Sequence, residues 1–198
     1  DALQTPYPAT TPLVMSRYLV IRANESLTTD LAASAQTLCF LTGSGTAELN
    51  GESSDWQAGD VLLLPGGSPI TYKASADTVC WLVTDEPALA FSGLTSLQGD
   101  QAPVPPVHYS ASDLERELES VYAHPNVENF AGYAVILSHD RLEHTRNLHP
   151  TMTLALNTLP AGKKQRPHVH NAMALTLCLQ GDGVHSVVDG QRKAWEQF

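Results

Sequence analysis

GSGTAELNGESSDW at residues 43–56 and GDGVHSVVDGQRKAW at residues 181–195 are two versions of one pattern. Gly43-Ser44-Gly45 matches Gly181-Asp182-Gly183 at a step of 138 residues, while Asn50-Gly51 matches Asp189-Gly190, and Trp56 matches Trp195, at a step of 139. The one-residue difference reads as a single insertion in a hairpin. Asn-Gly and Asp-Gly between strand-like runs are two-residue hairpin turns, because both turn positions tolerate positive φ. The chain therefore holds two copies of one β unit.

Outward from these hairpins, short apolar or β-branched runs continue the pattern. Ser16–Arg22, Thr37–Leu41, Val61–Leu64 and Val79–Val83 lie between turns at Asn24-Glu25, Gly59-Asp60 and Pro65-Gly66-Gly67, and strands resume at Tyr133–Leu137 and Thr151–Leu159. Many short strands with closely spaced turns indicate a sandwich or barrel. A closed jelly roll is expected from about Pro12 to Leu89. One segment differs: Ser110–Ala123 sets Leu114, Leu118, Val121 and Tyr122 on one helical face, with Ser112 and Glu115 as a capping box and His124-Pro125 as the stop. The Pro-rich stretch 102–107 before it reads as a linker. The expected organisation is a first barrel over 1–100, a linker over 101–147 with its helix near 112–123, and the first part of a second barrel over 148–198. The second copy stops at the counterpart of Gly59, so its barrel is expected to be incomplete, with further strands from a longer parent chain. The start at Asp1 without Met points the same way at the other end.

The 198 residues carry 11 Lys and Arg against 21 Asp and Glu, a formal charge of -10. Such a surface repels phosphate backbones and anionic lipid, so neither nucleic acid nor a membrane is an expected partner. No apolar run approaches the ~20 residues of a membrane helix. Cys39, Cys80 and Cys178 are odd in number and widely spaced, which suits buried thiols in a reducing compartment, and a cytoplasmic location is expected.

The chemistry concentrates in PAGKKQRPHVHNAMALTLCL, residues 160–179. On a strand, His168 and His170 at i and i+2 share one face. Two neutral imidazoles placed so can chelate a first-row transition metal; alternatively they are a solvent-facing pair on an edge strand. Arg166 can form a fork to a carboxylate or belong to a solvated basic turn with Lys163 and Lys164. His185 can face a cavity as an acid–base group or face solvent. Met173, Leu175, Leu177 and Leu179 suit a dry barrel lining, and His144, Arg146 and His149 read as surface or linker residues.

Gly162, His168, Val169 and His170 resemble the first motif of the cupin superfamily, G-x5-H-x-H-x3,4-E-x6-G, with Gly181 near its closing Gly; the motif's Glu would fall at Ala174 or Leu175 and is absent. Gly59, Pro65 and Gly67 resemble the second motif, G-x5-P-x-G-x2-H-x3-N, with Ile70 at its His. The resemblance implies an all-β, double-stranded β-helix (jelly-roll) bicupin. At the step of 138, the His positions of the first copy fall at Asp30 and Ala32, so that barrel has lost its ligands. The second keeps two, with a third His expected at about position 209 of a longer chain.

An HxH without Glu is similar to gentisate 1,2-dioxygenase-like, ring-cleaving enzymes. That resemblance implies a non-haem Fe(II) dioxygenase acting with O2 on a hydroxylated aromatic acid of gentisate or hydroxynaphthoate type. His168 and His170 would ligate the metal, Arg166 would bind substrate and His185 would be catalytic. Those enzymes usually keep iron in the first barrel, so here the second must hold it. The family also implies a homo-oligomer. Alternatives are a cupin isomerase or lyase using Zn, Mn or Ni, and a non-catalytic bicupin that binds a small molecule.

Overall fold

A computed structural model describes residues 3–124, 133–170 and 173–198. The chain divides into two compact units, residues 1–166 and 167–198.

The first unit is built on two facing antiparallel sheets. Strands β1 (Met15–Ile21), β2 (Ser26–Thr29), β3 (Ala35–Thr42), β4 (Ser44–Leu49), β5 (Glu52–Gln57), β6 (Val61–Pro65), β7 (Ile70–Ala74) and β8 (Thr78–Thr84) follow one another, with β9 (Val107–Tyr109) added later. One sheet has the order β1-β8-β3-β6-β9 and the other β2-β7-β4-β5. This is the jelly roll expected from the turn spacing. Sequence runs foresaw β1, β3, β6 and β8 to within two residues. The short β2 and β7 carry no such apolar run and are defined by pairing with each other, Thr29 opposite Ile70.

Strand alternation fills the interior. On β4, Gly45, Ala47 and Leu49 are buried while Ser44, Thr46 and Glu48 between them face outward. Phe40 and Trp56 stack with ring centroids 4.2 Å apart and planes 6° from parallel. The stack lies in a core with Leu38, Leu62, Ile70 and Leu82. Asn50 and Gly51 take φ of 52° and 86°, the two left-handed positions that the β4–β5 hairpin requires.

The outer face of the first sheet is covered by the stretch expected as a linker. Helix α1 (Glu86–Ser92), which has no amphipathic signal in the sequence, follows β8. Helix α2 spans Ala111–Ala123, and strands β10 (Tyr133–Leu137) and β11 (Leu154–Thr158) pair antiparallel. Val61 and Leu63 of β6 pack there with Val104, Leu114, Leu137 and Leu148. The Pro-rich stretch thus carries a buried anchor, Val104, and β9 pairs with β6. The helix cap is Ser110 rather than the expected Ser112: the Ser110 hydroxyl accepts from the Asp113 amide at 3.1 Å. Asp60, 2% exposed, ties the layers together by accepting from the amides of Gln57 and Ala111. It also lies 2.8 Å from His108 Nε2.

In the second unit, β12 (His185–Val188) and β13 (Gln191–Ala194) form a hairpin across Asp189 and Gly190, whose φ values are 50° and 76°. It is the β4–β5 hairpin again, turn for turn.

The close approach of Trp56 to β4 gives a test. A Cβ on Gly45 would stand 2.1 Å from the Lys73 carbonyl oxygen and 2.5 Å from the Trp56 ring. Backbone on one side and the stacked ring on the other leave no room to yield. Gly45→Ala is expected to cost about 1–3 kcal/mol, read as a lower urea midpoint at unchanged slope. An unchanged midpoint would show that β4 and β5 do not meet in this register.

Candidate functional site

The two hairpins set the correspondence between the copies. Gly45 stands opposite Trp56. In the second unit the Trp195 amide donates to the Val184 carbonyl at 2.9 Å, so Val184, not Gly183, occupies the place of Gly45. The step is therefore 139 throughout, without the expected insertion. The sequence carries the same message in Ala33, Ala35 and Thr37-Leu38-Cys39, which recur as Ala172, Ala174 and Thr176-Leu177-Cys178. Two glycine pairs one residue out of step obscure it.

Carried back, the corrected step matches His168 and His170 to Thr29 and Leu31 rather than to Asp30 and Ala32. Pleating agrees: Asp30 and Ala32 are exposed, whereas Thr29 and Leu31 are partly buried and Leu31 packs on the core. Gln36 takes the place of the motif's Glu, and Ile70 that of its third His. Thr29 Oγ1 and the Tyr72 hydroxyl each lie 3.3 Å from Gln36 Oε1, donating to it. Burial pushes the Tyr72 phenol far above its usual range, so it stays a neutral donor; hydrogen bonding from Thr29 opposes this and Cys80 adds to it. Gln36 is fully buried and its Nε2 has no hydrogen-bond partner. At these motif positions the first barrel has a neutral hydroxyl–amide–phenol trio beside the apolar Leu31 and Ile70. The thiols are as inert: burial pushes Cys80, in the same core, well above its ordinary value, and Cys39, on the outer face of β3, up to about 11.

In the second unit His168 and His170 lie in an exposed stretch that forms no ladder among the described residues, so the expected strand is not formed there. Their ring centroids are 4.9 Å apart with planes at 78°, while Val169 between them is 95% exposed. The two imidazoles thus sit side by side, and both are exposed, as is the side chain between them, instead of pointing into an interior. Two neutral imidazoles fit part of a divalent metal's ligand set. Among the described residues no group of three or more His, Cys, Asp or Glu is arranged to hold a metal ion. Arg166, exposed, precedes His168 by two residues in sequence. His185 is exposed and corresponds to Thr46, on the outward face of its hairpin; Trp195 and Ser186 share the other face, joined by a 2.8 Å bond from Trp195 Nε1 to Ser186 Oγ. This register does not support an acid–base role for His185.

Leu175, Leu177 and Leu179 correspond to the inward Gln36, Leu38 and Phe40, in keeping with a lining role. In the described second unit, however, they are half-buried or exposed. Of the cluster read as surface residues, His144 and Arg146 line an open hollow of about 550 Å³ with Ile136, Ser138 and Glu143. His149 is instead 4% exposed and faces Asp85, a partner no local signal in the sequence indicates.

The paired sheets, their turns and the inward pattern define an antiparallel jelly roll, followed by a smaller unit whose hairpin repeats that of β4 and β5. The chain is similar in part to two dioxygenases. Over 97 residues, 48% of this chain, it is 29% identical to a 5-aminosalicylate 1,2-dioxygenase of Comamonas sp, of which it spans 26%. Salicylate 1,2-dioxygenase from Pseudaminobacter salicylatoxidans is similar in structure over 43% of this chain and 24% of its own, at 19% identity and a TM-score of 0.40. The EutQ protein of Clostridium difficile is similar over 39% of this chain and 60% of its own, at 14% identity and a TM-score of 0.36. The chain thus spans about a quarter of the dioxygenases it resembles. No protein-family model matches it. No helix among the described residues is long and apolar enough to cross a membrane.

The corrected correspondence can be tested by building ligands into the first barrel, in a His168→Ala, His170→Ala background. Thr29→His, Leu31→His and Ile70→His together are expected to create a Co(II) site with intense tetrahedral visible absorption. Asp30→His, Ala32→His and Ile70→His should not, because positions 30 and 32 point outward. The reverse result would restore the step of 138.

Proposed function

We propose that this chain is part of a non-haem Fe(II) dioxygenase that opens the ring of a hydroxylated aromatic acid, with the chemistry in the second copy. The observation that carries the reading is the pairing of the His168 and His170 rings, 4.9 Å apart, at motif positions whose first-copy counterparts are the inward Thr29 and Leu31. The similarity to 5-aminosalicylate 1,2-dioxygenase supports the reaction class.

In this reading His168 and His170 supply two protein ligands, with a third imidazole expected at about position 209. Neutral nitrogen ligands leave Fe(II) open positions for a chelating hydroxy-acid and O2, and the iron supplies the redox chemistry. The protein's part is to bind and orient. Arg166, with its fixed pair of donors, holds the substrate carboxylate, and Leu175, Leu177 and Leu179 form an apolar wall that keeps water from the ring. His185 is given no step. The first barrel, with Thr29, Leu31 and Ile70 at its ligand positions, binds no metal in this reading. A homo-oligomer and a cytoplasmic setting accompany this reading.

Two results are expected with the full-length enzyme. His168→Ala or His170→Ala should lower iron content at least about tenfold and bring oxygen uptake on a panel of hydroxylated aromatic acids to background, with the thermal midpoint little changed. Parent-rate uptake by His168→Ala would refute the assignment. Arg166→Gln should raise KM for the acid about tenfold, as for loss of a charge-assisted pair, and leave kcat within about threefold; an unchanged KM would remove Arg166 from the site.

A further inference from the structure

The segment HDRLEHTRNLHP, residues 139–150, carries charged side chains that the proposed chemistry does not use. It lies between β10 and β11, and its backbone is fixed at several points. Ser138 Oγ donates to the Asn147 carbonyl, which closes the loop on itself, and the Tyr109 hydroxyl donates to the Ser138 carbonyl. Leu148, 1% exposed, anchors the loop in the covering layer, and Arg141 donates to the Ala102 carbonyl at 2.9 Å. Within this frame Glu143–Thr145 make one 3-10 turn capped by Arg146, whose amide donates to the Glu143 carbonyl at 3.1 Å.

Arg146 has a φ of 55°. Left-handed backbone is costly for a residue with a Cβ, and here it falls on a cation rather than on Gly, Asn or Asp. Its consequence is electrostatic. In a 3-10 helix the side chains at i and i+3 eclipse, so Glu143 and Arg146 would face each other as an ion pair if the turn ran on. The left-handed step swings Arg146 out of that row. Neither side chain makes an ion pair or a hydrogen bond among the described residues. By contrast, each Lys or Arg before residue 124 meets a carboxylate: Arg17 with Glu86, Arg22 with Asp77, Lys73 with Glu48 and Arg116 with Asp113.

The two unpaired charges border the open hollow of about 550 Å³, together with Ile136, Ser138 and His144. Ile136, 46% exposed, lies on the opposite face of β10 from the buried Leu137 and supplies an apolar wall. His144 offers a ring N–H in either neutral tautomer. An anion alone would meet Glu143 as well as Arg146, and a cation alone would meet the reverse. A ligand that carries both charges and an apolar body satisfies all three walls. We propose that this hollow binds an α-amino acid with an apolar side chain. Arg146 and His144 take the carboxylate, Glu143 takes the ammonium and Ile136 packs on the side chain. The left-handed Arg146 keeps the two charges apart, so that a zwitterion neutralises them. The site belongs to the first unit and does not depend on the chemistry proposed for His168 and His170.

Calorimetric titration of the whole chain with L-leucine tests this by binding alone, apart from any oxygen uptake. Saturable binding is expected. 4-Methylpentanoate, which lacks the ammonium, and L-leucine methyl ester, which lacks the carboxylate, should each bind at least about tenfold more weakly, as for loss of a charge-assisted pair. Arg146→Gln and Glu143→Gln should weaken L-leucine to the same degree. Arg146→Gln should leave the weak binding of the methyl ester unchanged, and Glu143→Gln that of 4-methylpentanoate. Arg146→Gly relieves the left-handed backbone and should lose binding without lowering the thermal midpoint. No saturable binding of L-leucine below about 10 mM, the weakest expected for a ligand of its size, would overturn the site. So would 4-methylpentanoate binding as tightly as L-leucine, or a lowered midpoint in Arg146→Gly, which would make Arg146 a structural residue.

Discussion

The positive-φ pair at Asn50 and Gly51 is the constraint on which the rest of the architecture turns. A two-residue turn leaves one register, and a slip of one residue would move every side chain of the hairpin to the opposite face. The register puts Gly45 beneath the Trp56 ring, which lets that ring stack on Phe40 of the facing sheet. With Phe40 placed, β3 is fixed in phase, and so are Gln36 and Leu38 on its inner side and Cys39 and Ala35 on its outer side. The same turn in Asp189 and Gly190 phases the second copy. From one pair of dihedral angles in each unit follows which residues can line an interior.

That phase is what the sequence alone could not settle. Glycine doublets, turn dipeptides and tryptophans showed that a repeat exists, and the apolar runs showed most of the strands. Glycines, however, mark turns without saying which of two adjacent residues takes the left-handed conformation. Gly43 and Gly183 have positive φ while Gly181 does not. Matching Gly43 to Gly181 therefore displaced the ligand positions by one, and in a strand one residue is the difference between inside and outside. The covering layer was illegible for another reason. Pro and small residues over 102–107 have linker composition, yet Val104 is buried because β6 presents Val61 and Leu63 on its outer face. His149 looked like any polar residue near a turn. Its burial comes from Asp85, distant in sequence, and such pairings leave no local periodicity to read.

The two copies differ in chemistry at matched positions. In the first, Thr29 and Leu31 stand where the second has His168 and His170, and Gln36 accepts from two hydroxyls while its own Nε2 stays unpaired. A buried amide hydrogen without an acceptor costs about 1–3 kcal/mol, so this interior is not optimised for stability. Trp56 tells the same story: its Nε1 is buried without a partner, and Ala47 stands where the second copy has Ser186 bonded to Trp195.

These orphaned groups bear on what the first interior gains from its packing. A barrel that must bind a metal needs several imidazoles converging in a pocket, polar groups that compete with close packing. The first barrel instead fills its centre with Leu31, Ile70 and the Phe40–Trp56 stack, each gaining burial of the order of 1.5–3 kcal/mol per side chain. That gain exceeds the cost of leaving one amide and one indole nitrogen unpaired. The polar trio then persists because each member is only partly dispensable: removing Gln36 would strand Thr29 and Tyr72, and removing either hydroxyl would leave the amide less satisfied. The first barrel is therefore a packed interior crossed by one polar trio, and its outer face, through Val61 and Leu63, anchors the covering layer at Val104, Leu114, Leu137 and Leu148.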